Sequence, residues 1–242
     1  MGEGLYDSLT DGDFGENLRA TNCGAEGISL SGSSSANYNG IYSINNGIEY
    51  TRHSQGIFKG GVAIETYRST VSNIFSFNSA AVGIVVRSDP GTSDVAENTF
   101  SGWHTYGSKN IGILVGWTDP NTFTTNNNVY DLNSENDGKI DGSAIYFIGS
   151  DHNNIYGLSA IGNGNGGSGN ALLALYDCRN TFVSGVNLDG WSTTPYFAYK
   201  IHEFESLGNV TIIGGDISRS NFGSAVYSIT SNTTVAYVIG YQ

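Results

Sequence analysis

Three acidic residues, Asp131, Glu135 and Asp137, fall within seven positions of one another in the stretch NVYDLNSENDG. Paired carboxyl groups are the equipment of glycoside hydrolysis. One protonates the leaving oxygen while the other attacks or activates water, at separations of about 5 to 5.5 Å for retention and about 6.5 to 9.5 Å for inversion. On this reading Asp131 acts with Glu135 or Asp137, and the less solvated member carries the raised pKa of a general acid. Asp131 is expected to have small neighbours, Ser101 and Gly157, on the adjoining repeats.

Rings that suit the flat C–H faces of sugars lie close by. Trp103, His104 and Tyr106 stand in GWHTYGSKN, Trp117 in VGWTDP and Trp191 in NLDGWSTTP. These five are the expected substrate-binding residues, because a ring stacks on the apolar face of a sugar while polar neighbours take its hydroxyls. Elimination would instead need a base and a group that neutralises a uronate. Lys139, His104 and Tyr106 are available, but ten Lys and Arg among 242 residues suit an anionic chain poorly. A recurring series, Asp89, Asp119, Asp151 and Asp177, reads as turn formers. Its oxygen atoms also suit Ca²⁺, yet no metal or cofactor is expected.

The elements that would position these residues show themselves through repetition. An Asn followed by a short apolar run recurs at Asn73, Asn98, Asn128, Asn154, Asn180, Asn209 and Asn232, in steps of 25, 30, 26, 26, 29 and 23 residues. Aromatics stand two positions later at Phe75, Phe100, Tyr130, Tyr156 and Phe182. A second apolar run, such as GIVV, GILV, AIYF or ALLAL, follows each motif too closely for a crossover helix. Short strands that must connect by coiling, about every 26 residues, predict an all-β fold: a right-handed single-stranded parallel β-helix. The Asn series from Asn73 to Asn209 is then a structural ladder, one residue per coil, with the aromatics stacked beside it.

This organisation makes one continuous domain. Residues 71–242 form its regular part, and residues 1–70 its irregular N-terminal coils, where NYNGIYSINNGIEYTRHSQG reads as either an irregular coil or an inserted hairpin. Composition agrees, with 34 Gly, 26 Tyr and Phe, and only 13% charged residues. A net charge of −12 opposes nucleic acid and anionic membranes as partners. Cys23 and Cys178 have no metal-ligand or disulfide spacing, and no apolar run is long enough to span a bilayer. MGEGLYDSLTDGDFGEN lacks the basic start and apolar segment of a signal peptide.

The stretches GIVVRSDPGTSDVAENTFSG, AIYFIGSDHNNIYGLSAIGN and GNVTIIGGDIS resemble coils of the pectate-lyase-like β-helix superfamily, and the last resembles bacteriophage tailspike and appendage proteins. The resemblance covers about residues 71 to 240, without the GDGVTDDT-like opening of complete tail proteins, which fits a fragment. It implies a homotrimer on a virion tail or otherwise outside the cell, binding and cleaving bacterial surface polysaccharide. The residues leave open a hydrolase, a lyase and a non-enzymatic receptor-binding or structural spike. An apolar C-terminal stretch, SNTTVAYVIGYQ, also calls for a neighbouring subunit or further chain to cover it.

Overall fold

A computed structural model describes residues 4–8, 11–47, 60–87, 95–116, 124–135, 137, 144–163, 171–176, 178–190, 196–202, 210–216, 222–228 and 233–239. Every regular element among them is a strand, and every pairing is parallel. The chain alternates between two nine-stranded sheets, so each coil leaves one strand in each. The first sheet runs from Leu5–Ser8 through Ile28–Ser34, Gly60–Tyr67, Val82–Val86, Ile113–Gly116, Ile145–Ile148, Ala171–Tyr176 and Tyr196–His202 to Phe222–Ser228. The second runs from Phe14–Thr21 through Asn37–Ile44, Thr70–Phe77, Thr99–Tyr106, Asn128–Glu135, Asn154–Asn163, Thr181–Gly190 and Val210–Asp216 to Thr233–Ile239. Thr124–Thr125 and Ser150–Asp151 add a two-stranded sheet. The fold is an all-β parallel β-solenoid. Asn37–Ile44 pairs in parallel on both sides, so this part of the N-terminal segment is a coil.

The core is a stack of like on like. In the first sheet Ile28, Val62, Ile84, Ile113, Ile145 and Leu173 lie one above another, all fully buried. Val71, Phe100, Val129, Ile155, Val183 and Ile212 make the matching inward column of the second. Apolar side chains at alternate positions can all face one way only while the register holds.

The second sheet breaks that alternation once per coil. Asn17, Gly40, Asn73, Gly102, Asp131, Gly157 and Gly185 occupy one column, each with φ between 54° and 71° and each skipped by the pairing. The inserted left-handed residue lets positions three apart, such as Val71 and Ile74, both point inward. Asn, Asp and Gly tolerate this geometry best. A Cβ on Gly102 would lie 2.7 Å from Asn73 Oδ1, and one on Gly157 would lie 2.7 Å from Asp131 Oδ1. From Asn17 to Gly157 side chain and glycine therefore alternate, because each side chain lies over its neighbour's bare backbone, and Gly185 then follows a second glycine.

Buried polar ladders hold the corners. Ser69 N–H donates to Asn98 Oδ1 at 2.9 Å, Asn98 N–H to Asn127 Oδ1 at 3.0 Å and Asn127 N–H to Asn153 Oδ1 at 2.7 Å. Their Nδ2 groups donate back to the carbonyls of Thr66, Val95 and Thr124. This corrects the expected ladder: of its described residues, Asn98 alone is a member. Asn128 and Asn154 stand one position later, half-buried and bonded to each other at 3.3 Å. Asn73 is in the bend column and donates to Asn39 Oδ1 at 2.8 Å, while Asn180 is exposed, with φ 47°, and donates to Asp151. Asn209 lies outside the described residues.

Candidate functional site

The outer face of the second sheet carries most of the residues that suit ligand chemistry. Tyr42, Phe75, His104 and Asn133 share one outward column, and Phe77, Tyr106 and Glu135 share the next. Tyr42 stacks on Phe75 at 5.2 Å and 8°, and the His104 imidazole packs against both Phe75 and Phe77 at about 6 Å. Rings on successive coils stack because like positions repeat at the strand spacing of about 4.8 Å.

A second stack begins one coil further on, across the bend. Tyr130 lies on Tyr156 at 5.4 Å and 14°, and Phe182 tilts against Tyr156. Towards the preceding coil Tyr130 pairs in register with Ser101, beside Gly102, and no described ring covers that face. Tyr130 is 38% exposed. The expected aromatic row is thus split among columns, because Phe100 turns into the core and Phe75 stands in the column of Tyr42.

Of the expected acid–base residues, Asp131 and Glu135 reach this face and Asp137 does not. Asp131 is the bend residue, exposed, with Gly102 and Gly157 as its neighbours in the column; Gly102 replaces the expected Ser101 because the bend shifts the alignment by one. Glu135 sits 3.5 Å from His104 Nε2, and both side chains are partly exposed. Four residues of extended strand span about 13 Å. The backbone positions of Asp131 and Glu135 are therefore further apart than a hydrolytic pair of carboxyls.

Asp137 is wholly buried at the corner between the sheets. Its carboxylate accepts from Ser108 N–H at 2.6 Å, Thr105 Oγ1 at 2.6 Å and Ser134 Oγ at 2.7 Å. Burial raises its pKa above the ordinary carboxylate value, against the opposing hydrogen bonds from Thr105, Ser134 and Ser108. Asn46 does the same work three coils earlier, accepting from Cys23 N–H and donating to Ser43 Oγ.

Trp103 also leaves the expected site. It is fully buried in the column of Ile41, Ile74, Leu132 and Leu158, packs on Phe100 at 4.9 Å and donates Nε1–H to Val71 O at 3.2 Å. The left-handed residue before it, Gly102, turns it inward as Asn73 turns Ile74. His104 and Tyr106, two and four positions after the bend, face outward. Trp117 and Trp191 lie outside the described residues, as do Asp89, Asp119, Asp177 and Lys139. Asp151 receives Arg179 at 3.0 Å and His152 at 2.7 Å, as a turn residue would.

The sequence reading missed a second polar cluster, on the first sheet. Arg87 Nε meets Glu65 Oε1 at 2.7 Å, its Nη1 lies 3.4 Å from Glu26, and Ser31 donates to the other Glu65 oxygen. All three charged groups are at most 8% exposed. They adjoin an apolar cluster of Ala63, Val82, Val85, Ile111, Leu114 and Ile148. No group of three metal-ligating side chains forms among the described residues, and none of their helices is long and apolar enough to cross a membrane.

No protein-family model matches the chain, and no curated protein matches it. Solved structures do. The chain is similar to the periplasmic alginate epimerase AlgG, with a TM-score of 0.65 at 10% identity over 96% of this chain and 54% of that one. It is similar to the A-module of the Azotobacter vinelandii mannuronan C-5 epimerase AlgE4, with a TM-score of 0.62 at 11% identity over 96% and 58%. The Streptococcus pneumoniae surface protein and adhesin PfbA gives 0.54 at 12% identity over 96% and 68%. The chain thus spans about half to two thirds of the length of these structures, and the likeness establishes the parallel β-helix fold.

Proposed function

We propose that this protein binds a polysaccharide across the outer face of its second sheet. The observation that carries the reading is the Tyr130 ring, stacked on Tyr156 on one side and open above Ser101 and Gly102 on the other. A sugar ring offers a flat C–H face to such a surface, and Asn73, Asn133, Asp131 and Glu135 supply acceptors and donors for its hydroxyls. Two of the similar structures are enzymes of alginate, and one is an adhesin. The alginate and mannuronan named for the two epimerases agree with a glycan partner.

Cleavage is a second reading, favoured by the closeness of His104 to Glu135 on a partly exposed face. Glu135 then acts as acid or base with His104, and Asp131 is an exposed carboxylate on the same strand. The finer reading, a phage appendage that works as a homotrimer at the bacterial surface, rests on the coil resemblance. It draws support from Phe14, Ile161 and Ile213, apolar residues left exposed on the second sheet.

Calorimetry against a panel of bacterial surface glycans tests the binding reading. Tyr130→Ala should weaken binding about tenfold, the loss of roughly one ring–sugar contact. Unchanged affinity in Tyr130→Ala and in Tyr106→Ala overturns it. Reducing-end release from the same glycans tests cleavage, which Glu135→Gln should slow about a hundredfold.

A further inference from the structure

Resting on the reading of this face as a glycan-binding surface, we propose that its ligand is a polysaccharide bearing free amino groups. The face pairs open rings with uncompensated negative charge. Among the described residues, Asp131 is exposed and has no cationic partner, and Glu135, 43% exposed, has His104 alone as an ion-pair partner. Of the other described cations, Arg68 meets Glu97, Arg87 meets Glu65 and Glu26, and Arg179 meets Asp151, while Lys109 is exposed beyond the end of the Tyr106 strand with no ion pair to a described carboxylate, and Lys200 belongs to the first sheet. Arg19 shares the outward column of His104 but stands three coils away from it.

An anionic chain laid on Tyr130 would meet Asp131 directly, on a molecule of net charge −12. A neutral chain would use the rings and give the carboxylates hydroxyl hydrogen bonds, but would leave their charge without a counter-charge. An ammonium-bearing chain uses both, since a cation is attracted to the face of a tyrosine ring as well as to a carboxylate. The charge of Asp131 can be removed without disturbing the bend, because Asn73 holds the same column position two coils earlier.

The test is calorimetry of the intact chain with four probes: a fully deacetylated glucosamine hexamer, its N-acetylated counterpart, an alginate hexamer and hexalysine. The pH is one at which the sugar amines are protonated, and each titration is run at low and high salt. The deacetylated hexamer should bind at least tenfold tighter than each of the others and weaken as salt rises. Tyr130→Ala should lose this binding, and Asp131→Asn combined with Glu135→Gln should erase the preference while keeping the fold, checked by thermal melting. If the double variant fails to fold, Asp131→Asn alone should at least halve the preference. Equal or tighter binding of the N-acetylated or alginate hexamer overturns the proposal and leaves the glycan reading standing. Equal binding of hexalysine overturns it as mere charge attraction, and a preference that survives the variants overturns it because the two carboxylates then do not read the amines. Binding of neither the four probes nor any glycan of the wider panel removes the glycan reading itself.

Discussion

Asp137 shows how one residue type serves two purposes at the same address. At the corner it occupies, Asn46 of the second coil makes equivalent bonds with a neutral amide, and each side chain reaches a serine three positions earlier, Ser134 or Ser43. A carboxylate there accepts three hydrogen bonds but loses its hydration, and the second effect is the larger, raising the pKa. The folded state thus holds its proton more tightly than the unfolded chain. That contribution to stability is complete below the unfolded value of about 4 and is lost as pH rises through the higher folded one. Asp137→Asn should therefore melt at or above wild type at neutral pH, and wild type should regain stability relative to the variant on acidification towards pH 4. Melting curves from pH 3.5 to 8 check this; an Asn variant that is strongly destabilised at every pH defeats it.

Within the coil, the corner ladder and the strand bend act together. The bend resets the alternation in the second sheet, and the ladder fixes the corner that precedes it, so the two set which residues face the core. Asn127 sits between Asn98 and Asn153: its side chain serves two backbone groups of the preceding coil, the Asn98 N–H and the Val95 carbonyl, while its own N–H donates to Asn153 Oδ1 of the next. Asn127→Ala strands at least two buried partners, each worth about 1 to 3 kcal/mol. It should lower stability by several times as much as Asn154→Ala, which breaks one half-exposed bond to Asn128. Denaturant titration of both variants decides the point, and equal losses would mean that the ladder lies at Asn154 after all.

At the scale of the whole molecule, the stack buries a continuous apolar interior and leaves a face with exposed rings and aliphatics. Phe14 is 67% exposed, Ile213 39% and Ile161 38%. Surfaces of this kind are covered in an assembly or used for binding. The proposed homotrimer predicts a solution mass of three chains at micromolar concentration, measured by light scattering. A stable species of 25.7 kDa overturns it.

Sequence alone determined the architecture. Strand, corner and strand recur about every 26 residues, and apolar side chains repeat on each coil, because in a solenoid the contacts of a coil are with its immediate neighbours. What the tertiary structure decided was facing. A single left-handed residue inside each of seven strands of the second sheet slips the period by one, and a slip of one residue exchanges inside for outside. That slip carried Trp103 into the core, and the true corner register moved the ladder from Asn128 and Asn154 to Asn127 and Asn153. At the far corner of the coil, Asp137 was likewise drawn inside. On the outside it left Tyr130, His104 and Glu135 together on one face. Spacing along the chain cannot distinguish Asn127 from Asn128; the position of the next coil's backbone N–H does.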